Sequence, residues 1–154
     1  MVVGYIVDMT HFTPADIETY MWLAQRASSR SKAERLKVGA VLVNPNRIMA
    51  FGYNGTPSGW DNCCEIAHED GSLITKPETI HAELNALFKF VTEGISTKGC
   101  SLFLTHSPCL PCAQSLFLSQ LHQVYYHEDY RSDAGVHFLR KAGINVTKVD
   151  IDQL

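Results

Sequence analysis

The chain has 154 residues, enough for one domain with its own core, and 45% of them are apolar against 19% charged. That composition excludes disorder, collagen and coiled coil as the dominant architecture. With 13 Lys plus Arg against 16 Asp plus Glu the formal charge is -3, which argues against a protein that coats a polynucleotide and leaves a single nucleotide open as a ligand.

The N-terminus MVVGYIVDMTH lacks the basic region and small-residue cleavage site of a signal peptide, and no apolar run is long enough to span a bilayer. The expectation is a soluble, cytoplasmic protein with no membrane or nucleic-acid partner. Thr13-Pro14-Ala15-Asp16 then reads as a helix start, with a hydroxyl cap, proline at the first helical position and an acid three residues on. The helix should run to about Arg30, with Ile17, Tyr20, Met21, Ala24 and Ala27 facing the core. Val38 to Val43 and Arg47 to Tyr53 flank the turn Asn44-Pro45-Asn46 and read as a hairpin. A long connection from Asn54 to Pro77 follows, and connections of this length in a compact domain are usually functional. From there helix and strand alternate: helices at about 79–92, 109–120 and 133–142, strands at 101–105, 123–127 and 144–149. This βαβ series, with right-handed crossovers, predicts a mixed five-stranded sheet flanked by helices, its last three strands parallel, in a single domain over 1–154.

Five cysteines, at 63, 64, 100, 109 and 112, are an odd number, and in a chain read as intracellular they point to metal or redox chemistry rather than disulfides. Cys109-Leu110-Pro111-Cys112 opens a helix, where free N–H groups and the macrodipole favour thiolates. On its own this motif fits either a thioredoxin-like redox pair, which gives the non-hydrolytic alternative, or half of a zinc site. His81-Ala82-Glu83 at the start of another helix favours zinc, because one imidazole and two thiolates make a three-ligand tetrahedral set with an open fourth position. Residues two apart on a regular helix point about 200° apart, so His81 and Glu83 can serve one centre only at the helix end. Two thiolates blunt the ion's power to acidify water, so a base beside that water is needed, and Glu83 supplies it as a non-ligand proton shuttle. H-x-E with P-C-x-x-C is the signature of the zinc deaminases, which replace an exocyclic amine of cytosine or adenine by hydrolysis.

From Thr13 onward the chain resembles the deoxycytidylate (dCMP) deaminases of the cytidine deaminase superfamily. Besides the zinc motifs, the resemblance rests on residues 30–35 running into Val38-Gly39-Ala40-Val41, on Gly52-Tyr53-Asn54-Gly55-Thr56-Pro57-Ser58-Gly59, on Cys63-Cys64-Glu65 and on Tyr130-Arg131. It implies a three-layer cytidine-deaminase-like fold with the zinc-binding core at about 13–150, and hydrolysis of dCMP to dUMP and ammonia in supply of thymidylate synthesis. One zinc would be held by His81, Cys109 and Cys112. By resemblance Arg35 binds the 5'-phosphate, Asn54 the sugar 3'-hydroxyl, Tyr130 packs against the nucleotide, the Ala82 N–H meets the ring carbonyl and the Ser107 carbonyl the amine. Residues 26–37, with five cations and one anion, are a compatible phosphate site. Lys32, Gly55 and Glu65 are implied either in substrate contact or in a second site where dCTP, with Mg2+, activates and dTTP inhibits. A homo-oligomer, a hexamer in many relatives, is implied as well. The same chemistry with dCTP as a further substrate, with free cytidine or with a tRNA adenosine is the enzymatic alternative. Where such proteins often carry Cys and His this chain has Ala33 and Asn62, so the resemblance does not extend to an additional structural zinc, and Cys63 and His68 read as ordinary residues.

Overall fold

The computed structural model describes residues 11–153; residues 1–10, on which the reading of the N-terminus as free of a targeting signal rests, lie outside the described residues. Helix α1 (Pro14–Ser28) starts with a reciprocal cap, in which the Asp16 N–H donates to Thr13 Oγ1 at 3.2 Å and the Thr13 N–H to the Asp16 carboxylate at 2.9 Å. Tyr20, Met21, Ala24 and Ala27 are buried, as their spacing predicts. The helix stops two residues short of Arg30, where Ser28 and Ser29 donate their hydroxyls back to the Gln25 and Arg26 carbonyls.

Strands β1 (Gly39–Val43) and β2 (Met49–Tyr53) form the expected hairpin. The second strand begins after Arg47 rather than at it, because Arg47 takes a φ of 65° in the turn. The 54–77 connection is not structureless: β3 (Glu65–Ala67) and β4 (Leu73–Thr75) pair as a separate two-stranded hairpin. The connection also corrects the start of the next helix. Residues 79–81 are held extended, with the Thr79 hydroxyl donating to the Cys64 carbonyl at 3.1 Å and Ile80 bridged to Gly55, so α2 (Ala82–Thr92) starts three residues later than read. β5 (Ser101–His106), α3 (Leu110–Leu118), β6 (Gln123–Glu128), α4 (Ala134–Lys141) and β7 (Asn145–Lys148) follow, then a short 3-10 turn at Ile151–Gln153.

The sheet order is β2-β1-β5-β6-β7, with β1 antiparallel to both neighbours and β5, β6 and β7 parallel. Side chains alternate along each central strand. Ala40, Leu42, Leu102, Leu104, Val124 and Tyr126 pack with α2, α3 and α4, while Val41, Val43, Phe103 and Tyr125 pack with α1. Three layers result, and β1 and β5, covered on both faces, explain their unbroken apolar runs. The chain leaves β2, β5 and β6 at one edge of the sheet, the place where open α/β sheets bind ligands. No helix among the described residues is long and apolar enough to cross a membrane.

Helix α2 lies so close to β2 that a Cβ on Gly52 would sit 2.4 Å from the Ala82 carbonyl oxygen and 2.5 Å from the Ala86 nitrogen, whereas one on Gly55 meets nothing within 4 Å. Gly52→Ala should therefore destabilise the protein by about 1–3 kcal/mol or more, and Gly55→Ala should stay within about 0.5 kcal/mol; urea unfolding of the two variants checks this.

Candidate active site and metal centre

Two helix N-termini meet at the sheet edge. His81 is the N-cap of α2, with φ -73° and ψ 154°, and its side chain makes no capping bond. Cys109 is the N-cap of α3, with φ -69° and ψ 165°, and Cys112 is the third residue of that helix. The cap and third positions are those whose side chains gather at a helix end, so both sulfurs stand where the chain enters α3. They lie 3.5 Å (Cys109) and 3.3 Å (Cys112) from His81 Nδ1. Zn–S and Zn–N bonds of about 2.3 and 2.0 Å at tetrahedral angles give an N···S spacing of about 3.5 Å. The three donors thus fit one zinc through Nδ1 and two thiolates, and they are the group of three His, Cys, Asp or Glu donors within 4.8 Å of one another found among the described residues.

Without metal the three donors share protons. Hydrogen bonding from Cys112, then burial partly opposing it and a bond from His81, brings the Cys109 thiol down to about 4. Its partner Cys112 is pushed up, first by that shared hydrogen bond and then by burial. The bond to Cys109 raises His81. Metal binding must therefore displace a proton from Cys112, and from His81 under acid conditions.

Glu83, the second residue of α2, is 4% exposed. Its position two residues past a non-helical cap is what lets it face the same centre as His81. Burial pushes its carboxyl up from the ordinary 4.5 to about 7. The cavity that Glu83 lines is also lined by His81, Ala82, Ser107, Cys109, Arg35, Asn54, Glu65 and Tyr130. The structure thus brings nearly all the sequence-derived candidates to one place. Cys112 sits behind it, 3% exposed, and Lys32 and Gly55 are elsewhere, in a second cavity with Arg30, Lys89 and the 52–59 turn.

Several candidates carry contacts that the sequence does not reveal. Asn54 accepts from the Val38 N–H and donates to the Leu36 carbonyl, both at 2.8 Å, which leaves one amide N–H uncommitted. Glu65 is buried and accepts from the backbone of Glu34 and Arg35. Ser107 Oγ accepts from the Tyr130 N–H at 2.8 Å, tying the Tyr130 loop to the strand end. Arg131, whose guanidinium lies 5.7 Å from the Tyr130 ring centre, and His106 and Thr75 also line the cavity. Arg131 could have been singled out from its pairing with Tyr130, but Thr75 had no signal, since three-residue strands are below what periodicity detects. Gly135 was missed too: a Cβ there would sit 2.0 Å from the Pro108 carbonyl, so its bareness lets α4 press on the Cys109 turn. Cys63 is exposed, and Cys100 is fully buried with its thiol pushed up to about 11 by burial, an inert hydrophobe.

Residues 14–128 match the family described as the cytidine and deoxycytidylate deaminase zinc-binding region. ComE operon protein 2 of Bacillus subtilis is 36% identical over 129 residues, covering 81% of this chain and 66% of that protein. Deoxycytidylate deaminase of Enterobacteria phage T4 is 32% identical, covering 88% of this chain and 92% of that one. The crystal structure of dCMP deaminase from the cyanophage S-TIM5 in complex with dCMP and dUMP superposes with a TM-score of 0.83 at 42% identity, covering 90% of this chain and all of that one.

Two outcomes are expected. Purified protein should hold about one equivalent of zinc by elemental analysis, and His81→Ala and Cys109→Ser should each hold far less. In chelator-stripped protein, Glu83 has a folded pKa above its unfolded one, so the folded state binds the extra proton and stability falls as pH rises from 4.5 to about 7. Glu83→Gln should therefore melt higher than the stripped wild type at pH about 8 and alongside it at pH about 4, the difference isolating this carboxyl from the thiols.

Proposed function

Because the chain belongs to the cytidine and deoxycytidylate deaminase family, defined by its zinc-binding region, we propose that it hydrolyses dCMP to dUMP and ammonia as one catalytic domain spanning 1–154. The observation that carries this reading is the cavity lined by His81, Cys109, the buried Glu83 and the cationic Arg35, with the Cys112 donor within 4.8 Å of those of His81 and Cys109. The cyanophage enzyme crystallised with dCMP and dUMP is 42% identical, which supports the choice of substrate.

His81 Nδ1 and the thiolates of Cys109 and Cys112 would hold zinc, which supplies a Lewis acid that acidifies water. Glu83 takes a proton from the attacking water and delivers it to the substrate, so that the amine leaves as ammonia. A carboxyl whose two forms are close in energy near neutral pH can both take and return that proton. The Ala82 N–H, a first-turn donor with no acceptor inside its helix, reads the ring carbonyl. The Ser107 carbonyl, which receives no hydrogen bond from a described residue, reads the amine. The uncommitted amide N–H of Asn54 takes the sugar 3'-hydroxyl, the Tyr130 ring packs on the nucleotide, and Arg35 binds the 5'-phosphate.

The second cavity, with Lys32 and Gly55 beside Arg30 and Lys89, has the charge for a triphosphate. On that charge we read it as a regulatory site for dCTP as activator, with Mg2+, and dTTP as inhibitor; the resemblance further implies a homo-oligomer, a hexamer in many relatives, that supplies dUMP for thymidylate synthesis in the cytoplasm.

Zinc-loaded protein should lose the ultraviolet signature of dCMP, faster with dCTP and Mg2+ and slower with dTTP. Glu83→Gln should cut kcat by about 100-fold or more with zinc retained, and Arg35→Ala should cut kcat/KM for dCMP by about 30-fold or more while sparing deoxycytidine. A zinc-loaded wild type that leaves dCMP unchanged in the presence of dCTP and Mg2+ refutes the reading.

A further inference from the structure

Arg35 is gripped at both ends by one rung of the β3–β4 hairpin. Glu65 and Thr75 are cross-strand partners in that hairpin. The buried Glu65 carboxylate accepts the Glu34 N–H at both oxygens, 3.1 and 3.2 Å away, and the Arg35 N–H at 3.3 Å. Thr75 Oγ1 accepts from the Arg35 guanidinium at 3.0 Å. Among the described residues no carboxylate pairs with that guanidinium, and Thr75 takes only one of its five N–H donors. The rest of the fork stays open toward the cavity that both residues line.

The chemistry separates two roles for Glu65. As a direct ligand it would set a carboxylate against a phosphate dianion, a like-charge contact that weakens binding. As a holder of amides it spends its lone pairs on the backbone that carries Arg35, through charge-assisted bonds stronger than neutral ones. Ordering a long, rotamer-rich side chain before substrate arrives spares the binding step that entropy cost. On the dCMP reading above, we propose that Glu65, with Thr75, is a positioning residue for phosphate recognition: the β3–β4 hairpin presets Arg35 and so sets the preference for a 5'-phosphorylated over an unphosphorylated cytosine nucleoside.

Steady-state kinetics on the zinc-loaded full chain, with dCMP and with deoxycytidine, test it. Glu65→Ala should raise KM for dCMP by about 10-fold or more, with kcat and the deoxycytidine kcat/KM within about 3-fold of wild type. Adding Glu65→Ala to Arg35→Ala should cost nothing further, because the two act as one unit. Glu65→Gln, which keeps an acceptor oxygen, should fall between wild type and Glu65→Ala. Thr75→Val, which leaves the buried carboxylate in place, should raise KM for dCMP alone and stands in if Glu65→Ala does not fold. Parallel losses with both substrates, a further loss in the Arg35→Ala background, or no KM change in either Glu65→Gln or Thr75→Val overturns the proposal. Wild type that turns over neither substrate instead removes the reading on which it rests.

Discussion

The meeting of two helix N-termini at one sheet edge is the constraint on which the rest of the site depends. His81 and Cys109 are both N-caps, with extended backbone angles, so their side chains turn across the helix ends instead of along the helix faces. Two positive helix poles then face one point, which favours the thiolates that a divalent ion needs. This geometry requires α2 and α4 to press unusually close to their neighbours. Gly52 lets the first turn of α2 lie on β2, and Gly135 lets α4 lie on the turn that carries Cys109. Fold and metal centre are therefore one packing problem.

Charge is divided by the same architecture. Glu83, the acid proposed to move the proton, is buried in the first turn of α2, where desolvation raises its pKa to about 7. The cations gather in residues 26–37, between α1 and β1. That segment has no helix or strand of its own past Ser28, and side chains from elsewhere hold its backbone in place. Asn54 bonds residues 36 and 38 from the end of β2, and Glu65 bonds residues 34 and 35 from β3. Overall net charge of -3 is thus an average over a basic segment, which gives Arg35 to one cavity and Arg30 and Lys32 to another, and an acidic remainder. It describes neither.

Most of the architecture was legible because long, strongly periodic segments decide it. The capping box at Thr13, the apolar run of β1 and the alternation after Ser101 each gave the right element, and the mixed sheet with three parallel strands followed from their order. The metal set was legible for a different reason. Both of its motifs sit at helix starts, where spacing alone fixes which side chains can converge. What stayed hidden was long-range and backbone-directed. The β3–β4 strands are three residues each, too short to show a period, and the start of α2 was delayed by contacts of Thr79 with Cys64, just before that hairpin, and of Ile80 with Gly55. Asn54 and Glu65 stood out as polar residues near a ligand, but a sequence does not show that their partners are main-chain amides 16 and 31 residues away.

Titrating zinc into chelator-stripped protein while following dCMP loss tests the central claim most directly. Activity should climb in proportion to metal and level off at about one equivalent per chain, with His81→Ala flat throughout. Activity that persists without zinc, or that returns in full in His81→Ala, would contradict it.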